Sequence, residues 1–344
     1  MLIQEIFGIE LPVIQAPMAG VQNSALTIAV SNAGGLGSLP CAMLGAQALR
    51  AELDTIRAQS DRPFNLNFFC HQPPIPDVAR ASAWQALFAD YYTEFDIDPT
   101  KIAPGPQRTP FNEEMADLVC AYQPAVVSFH FGLPSPQLIN RVRSCGAKIM
   151  SSATTVEEAL WLEARGVDCI IAQGLEAGGH RGMFLSDDIT TQVGTFALLP
   201  QIIRAVKVPV IATGGIADAS GVRAALVLGA AGAQVGTAFM LCPEATTSAG
   251  HRAALKSASA RTTALTNVFS GRPARGIVNR LMQELGPMNP TAPGFPLASS
   301  ASAPLRTKAE SIGSGDFSPL WAGQNTTGCQ EIPAALLTRG LASQ

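Results

Sequence analysis

Charge is scarce in this chain. Only 14% of its 344 residues are Asp, Glu, Lys or Arg, against about 25% in a typical soluble domain. The net charge is −3, and no basic stripe is visible, which argues against a nucleic-acid partner. Histidine is scarcer still, with four copies. The seven cysteines, at 41, 70, 120, 145, 169, 242 and 329, form no C-x-x-C pair. Their odd number and scattered spacing fit a reduced, cytoplasmic set with no metal framework. The opening "MLIQEIFGIELPVIQAPMAG" (1–20) lacks a basic region followed by an apolar one, so no secretion signal is expected. The charge-free stretch from Ala224 to Pro243 has the length of a membrane span. However, Gly229, Gly232, Gln234 and Gly236 interrupt it, and its period changes from helical to strand-like. A helix, a turn and a buried strand are expected there, and no membrane partner.

Hydrophobic residues, by contrast, reach 47%. They gather in eight short runs: "PVIQAP" (12–17), "GLGSL" (35–39), "FNLNFF" (64–69), "AVVSFHF" (125–131), "KIMSSA" (148–153), "CIIAQG" (169–174), "PVIATGG" (209–215) and "AQVGTAF" (233–239). Several are nearly continuous, as parallel strands buried on both faces require. Helix signals separate them. Asn23 or Ser24, Ser135, Thr155 and Asp218 or Ser220 are candidate caps, and Thr155-Val-Glu-Glu158 reads as a capping box. Strand–helix alternation repeated eight times predicts an α/β fold, the (β/α)8 TIM barrel.

Two regions fall outside the repeat. Residues 71–118 hold seven prolines and the patch "WQALFADYYTEF", and read as an insertion after strand three with one helix. Residues 1–242, insertion included, are expected to form the barrel. Residues 243–344 are expected to form a helical and loop extension packing on its mouth. Within it, 251–286 reads as helical pieces, 287–328 as loop and 329–341 as a short helix.

In such barrels chemistry sits at the C-terminal ends of the strands. Gly214-Gly215 and Gly236-Thr237 end the seventh and eighth runs, where a backbone can approach a phosphate. Asn67, Gln173, Gln234, Ser128 and Ser151 are neutral donors and acceptors suited to a flat heterocycle such as flavin. Each amide alone also fits a bond to backbone inside the barrel. Met18, after Pro17, is placed to lie against a ring face. His180 follows Gly178-Gly179 in a loop at the mouth, where an imidazole can act as base or donor. His130 ends a strand at the same face. His71 and His251 read as surface residues. His130 and His180 lack a third ligand at clear spacing, so no metal is expected.

Taken together, "PVIQAPMAG", "SNAGGLGSL", "PFNLNFF", "VVSFHFGLP", "AQGLEAGGHRG", "PVIATGGIAD" and "GAQVGTAF" resemble the nitronate monooxygenases, formerly called 2-nitropropane dioxygenases. "VSFHFGLP" and "AQGLEAGGHRG" are similar to the class I branch. The likeness runs from about residue 8 to 285, with a weaker match in "DFSPLWAGQ" (316–324). It implies non-covalent FMN and conversion of nitronates or nitroalkanes, with O2, to carbonyl compounds and nitrite. It further implies His180 as active-site base and His130 in the substrate pocket. Asn67, Gln173, Gly178 and Gly179 would lie near the flavin, with Gly214, Gly215, Gln234, Gly236 and Thr237 near its phosphate. In some class I members the C-terminal segment supplies tyrosines and a lysine to the pocket. Here Phe295, Ser299 and Ala303 stand in the corresponding stretch "GFPLASSASAPLR", which leaves substrate preference open. Two alternatives keep the barrel: an FMN-dependent NAD(P)H reductase of quinones or enoyl-thioesters, and a non-catalytic barrel binding flavin or another phosphate ligand.

Overall fold

Each of the eight apolar runs contains a strand. The computed structural model describes residues 2–102 and 108–343. Its strands are β1 (Val13–Gln15), β2 (Gly37–Pro40), β3 (Phe64–Phe69), β4 (Val126–His130), β5 (Lys148–Ala153), β6 (Cys169–Gln173), β7 (Gly179–His180), β8 (Val210–Thr213), β9 (Gly232–Val235), β10 (Thr263–Thr266) and β11 (Ala274–Ile277). Eight of them pair in parallel in the order β1-β9-β8-β6-β5-β4-β3-β2. A parallel bridge from Ile14 to Leu36 closes the ring. The result is the expected (β/α)8 barrel, with helices between the strands.

Strand periodicity decides which residues reach the mouth. Side chains alternate between faces, so Val127 and Phe129 of β4 pack outward with the helices, in one core with Leu53, Leu66 and Ile149. Val126 points inward and joins Ile14, Leu36, Met150, Ile171 and Ile211 at the barrel floor. Ser128 and His130 therefore follow Val126 up the interior. The same rule stacks Asn65, Asn67 and Phe69 on β3, and Cys169, Ile171 and Gln173 on β6.

The caps are as the sequence suggests at Asn23, Ser135, Thr155 and Asp218, whose side chains accept from backbone N–H groups of the first turn. Glu158 departs from the reciprocal capping box. Its carboxylate accepts from Thr154 N and Oγ1 at 2.7 and 2.8 Å, and from Phe184 N at 2.5 Å. It thereby ties the end of β5 to the segment after His180.

Several expectations need correction. Among its described residues the insertion carries two α-helices, Val78–Ala86 and Ala89–Glu94. It ends before residue 113, because the helix Glu113–Tyr122 packs on the barrel core as an ordinary crossover. Residues 103–107 of the insertion lie outside the described residues, as do Met1 and Gln344 of the chain. The eighth barrel strand stops at Val235, and Thr237–Leu241 is a 3-10 turn. The region read as helical pieces contains β10 and β11, which form an antiparallel sheet with β7. The stretch read as loop contains a 13-residue helix, Ser299–Ser311. The short C-terminal helix is present at Ala334–Leu341. Cys120 and Cys145 are joined as a disulfide, so the cysteines are not all reduced. No helix among the described residues is long and apolar enough to cross a membrane.

The insertion and the C-terminal part share one core. Trp84, Phe88, Tyr91 and Tyr92 pack with Val268, Leu281, Leu305 and Phe317. Trp84 Nε1 donates to the Ala298 carbonyl at 3.0 Å and Tyr92 Oη to the Ala301 carbonyl at 2.8 Å.

Candidate active site

One cleft opens at the C-terminal ends of the barrel strands. Pro17 and Met18 line it after β1, Asn67 on β3, His130 on β4, Gln173 on β6, and Gly178, Gly179 and His180 beyond it. Gly214 and Gly215 follow β8, and Gln234, Gly236 and Thr237 complete the ring at β9. Strand ends far apart in sequence thus converge on one space. Among the described residues its lining contains no carboxylate and one cation, Arg108.

The three amides are differently committed. Asn67 Nδ2 donates to Ser128 Oγ at 2.9 Å and to the Ser128 carbonyl at 3.3 Å. That orients the side chain and leaves its Oδ1 without a protein donor among the described residues. Gln173 is used at both ends: Nε2 donates to the His180 carbonyl at 3.0 Å and Oε1 accepts from Gly182 N at 2.7 Å. It clamps the backbone on both sides of Arg181. Gln234 Oε1 is buried with no partner among the described residues. A buried acceptor left this way costs about 1–3 kcal/mol, so the cleft holds an unused recognition atom. Ser151 is turned away, its one hydroxyl proton shared between the Phe129 and Gly132 carbonyls at 3.1 and 3.0 Å.

The glycine turns are built for close approach. Gly214 and Gly215 have φ of 117° and 73°, where side chains are strained. A Cβ on Gly215 would lie 3.3 Å from Glu176 Cβ. Asp218 already caps the following helix by accepting from Gly221 N at 2.8 Å, so that N-terminus is spoken for. The 3-10 turn after Gly236 has no side-chain cap. Two tail residues reach these turns. Asn325 Nδ2 donates to the Gly215 carbonyl at 3.1 Å, and Gly323 N donates to Thr237 Oγ1 at 3.0 Å.

His180 sits on β7, whose register pairs it with Ala274 of β11, so it is not in a free loop. Gly179, at φ 70°, turns the chain into that strand. The imidazole packs among Phe295, Trp321, Phe131 and Phe69, with ring centroids at 5.3, 5.5, 6.1 and 6.4 Å. Burial holds its pKa well below the usual 6.5, and the positive charges of Arg108 and Arg272 add to the effect. Arg181, fully buried, donates to the Gly174 and Gln173 carbonyls, both at 2.7 Å, and to Gln192 Oε1 at 2.9 Å. It staples β7 to the end of β6.

His130 has no nitrogen to spare. Its Nε2 lies 3.2 Å from the His180 carbonyl, which can only accept, so Nε2 carries the proton. Its Nδ1 then accepts from Ser152 Oγ at 3.0 Å. Burial pushes its pKa down to about 3. His71 and His251 are not surface residues: each is 4% exposed. The insertion and the tail bury them. His71 donates through Nε2 to the Arg108 carbonyl at 3.0 Å and faces Phe295 at 4.9 Å. His251 donates to the Trp321 carbonyl at 3.1 Å. Burial lowers both pKa values to about 4. No group of three or more metal-ligating side chains occurs among the described residues.

A family model for nitronate monooxygenase matches residues 1–342. The chain belongs to the nitronate monooxygenase family. It is thus an oxidoreductase of a known class. It is 42% identical to a nitronate monooxygenase of Pseudomonas aeruginosa, over 98% of this chain and 97% of that one. Among solved structures it is similar to a nitroalkane oxidase from Streptomyces ansochromogenes, with a TM-score of 0.89 and 36% identity over 99% and 96% of the two chains. FabK from Thermotoga maritima shares the barrel more loosely, with a TM-score of 0.71 and 26% identity over 98% and 94%.

The structure also places the 295–303 segment, which was expected to depart from the family pattern. Phe295 is buried beside His180. Ser299 does not line the cleft; its Oγ donates to the Pro296 carbonyl at 2.9 Å, and Ala303 is exposed. Sequence reasoning missed Arg108, Phe69, Ser152, Trp321, Gly323 and Asn325, all of which line the cleft. The motif "DFSPLWAGQ" was a visible signal for Trp321 and Gly323. Arg108 had none, lying in a proline-rich insertion.

Proposed function

We propose that this chain is an FMN-dependent nitronate monooxygenase that converts alkyl nitronates and nitroalkanes, with O2, to carbonyl compounds and nitrite. The observation that carries the cofactor is the unpartnered Gln234 Oε1 in a cleft of neutral amides and glycine turns. A flavin supplies N–H and C=O groups along one edge and a terminal phosphate, and the residues present fit both. Gln234 Oε1 and Asn67 Oδ1 would accept from the polar edge. Gly215, Gly236 and Thr237 would hold the phosphate through backbone N–H groups. Pro17 and Met18 would lie against the ring, and Gly178 and Gly179 would let it pass close to the backbone.

When bound, FMN supplies the one-electron chemistry between nitronate and O2. The protein does the rest. His180, neutral at neutral pH, takes the α-proton from a neutral nitroalkane, and a preformed nitronate needs no such step. The rings of Phe69, Phe131, Phe295 and Trp321 keep water from the reacting carbon. Arg108 places a positive charge at the cleft that favours the anionic nitronate over its neutral acid. His130 holds the His180 backbone and borders the substrate.

The test is an absorption spectrum of the purified protein followed by nitrite release from a nitronate in air. Oxidised-flavin bands with nitrite release are expected. Flavin bands without nitrite release, together with rapid bleaching by NADH in the absence of air, would move the assignment to a reductase. Absence of flavin after purification and added FMN would end the reading.

A further inference from the structure

His180 has two ring nitrogens, and the protein holds only one. Nε2 lies 2.9 Å from Ser270 Oγ. Nδ1 has no hydrogen-bond partner among the described residues, and the ring that bears it lines the cleft.

Ser270 is itself fixed. It is buried in the turn between β10 and β11. Its Oγ lies 3.2 Å from the Arg272 carbonyl and 3.4 Å from the Arg272 N–H. A hydroxyl offers one proton and two lone pairs. The carbonyl can only accept, so it takes the proton, and no other described group donates to it. What Ser270 offers to His180 is then a lone pair, which requires a proton on Nε2. The same turn also grips the main chain, because Arg181 N donates to the Pro273 carbonyl at 2.9 Å. Gln173 and His130 hold the His180 carbonyl from the other side. The ring is thus fixed through its side chain and through the backbone that bears it.

We propose that Ser270 is a positioning residue that holds His180 in the Nε2–H tautomer and so leaves Nδ1 as the atom that accepts the substrate proton. The step balances simply: the C–H pair stays on carbon as the nitronate forms, and the proton moves to Nδ1. This rests on the reading of His180 as base, but the tautomer can be tested without any turnover.

The first measurement is nitrogen-15 NMR of the histidines in the purified holoprotein, with His180 assigned by its loss in His180→Asn. A protonated Nε2 and a bare Nδ1 are expected. A proton on Nδ1 overturns the proposal whatever the enzyme does. The second measurement is kinetic. Ser270→Ala should lower kcat/KM for a neutral nitroalkane by about 10- to 100-fold, part of the 10²–10⁴ a positioned base supplies. The preformed nitronate should lose less than about threefold, the loss of a group that the proton step alone requires. Ser270→Thr, which keeps the hydroxyl, should restore nitroalkane turnover. Equal losses on both substrates, no loss on either, or a Thr variant as slow as the Ala variant would reduce Ser270 to packing and overturn the proposal. If the unmodified protein releases no nitrite from either substrate, the functional reading fails, and the NMR result still decides the tautomer.

Discussion

The two sides of the cleft are built from different materials. The side formed by the ends of β1, β8 and β9 is mostly backbone, glycine and neutral amide, and it keeps a buried acceptor on Gln234 unused. The side formed by β3, β4, β6, β7, the insertion and the tail is made largely of aromatic rings, imidazoles and buried guanidiniums. There most polar atoms already have partners: both nitrogens of His130, both ends of Gln173 and the fork of Arg181. A surface with unused donors and acceptors is one that waits for a ligand. A surface with its polar atoms spent is one that holds a reactive group still. Under the proposed function, cofactor recognition falls mainly to the first wall, with Asn67, Gly178 and Gly179 reaching it from the other side, and proton chemistry falls to the second.

The largest effect is expected at the glycine wall. Gly215→Leu puts a side chain at φ 73° and within 3.3 Å of Glu176 Cβ, and it should abolish flavin retention and all turnover while the far-ultraviolet circular dichroism stays barrel-like. A folded variant that keeps its full flavin absorbance removes the phosphate from this turn.

Next comes the base. His180→Asn should lower turnover of neutral nitroalkanes by about 10²–10⁴-fold and that of nitronates far less, with flavin absorbance retained. Loss of flavin in this variant would show that the two walls are not separable.

Smaller effects should separate two amides that look alike in the sequence. Gln234→Leu should weaken FMN affinity by about 1–3 kcal/mol, the usual cost of losing a buried partner, read by equilibrium titration. Gln173→Leu should leave that affinity nearer normal and disturb nitroalkane turnover, since Gln173 is bonded to the backbone around His180. The reverse ranking would return Gln173 to the flavin.

The pH profile gives the smallest change. Only neutral imidazole accepts a proton, and the neutral form prevails above the pKa. With His180 held well below 6.5 by burial and nearby cations, kcat/KM for a nitroalkane should stay level as pH falls through 6.5. Arg108→Leu removes one of those cations and should move the acid limb upward. His71 and His251 act on stability instead. The unfolded chain protonates each near 6.5, while the folded protein does so near 4. Stability should therefore fall as pH is lowered through that window, by up to about 1.4 kcal/mol per pH unit for each, measured by denaturant midpoints.

Much of this was legible before the structure. Eight short, nearly continuous apolar runs separated by helix signals predict the barrel and bring Asn67, His130 and Gln173 to the mouth ends of its strands. Caps such as Asn23 and Asp218 act within a few residues, so they read directly. What failed depends on distant partners. β10 and β11 are four residues each, and β11 pairs with a two-residue strand 94 to 96 positions earlier, beyond any local pattern. The helix Ser299–Ser311 carries Pro304 and buries Ala301, Leu305 and Ala309, a stripe too small in side chain to stand out from a Ser/Ala/Pro-rich loop. His71 and His251 looked exposed because the insertion and tail that cover them are themselves irregular.

The core shared by the insertion and the tail makes the wall over the substrate an inherited pair. Trp84 and Tyr92 lie on one partner, and the carbonyls they bond lie on the other, more than 200 positions away. A recombinant that took only residues 71–112 from a relative would leave the Ala298 and Ala301 carbonyls facing foreign side chains, where losing a large buried aromatic costs about 3–5 kcal/mol. Natural or laboratory diversification of substrate range should therefore move both segments together.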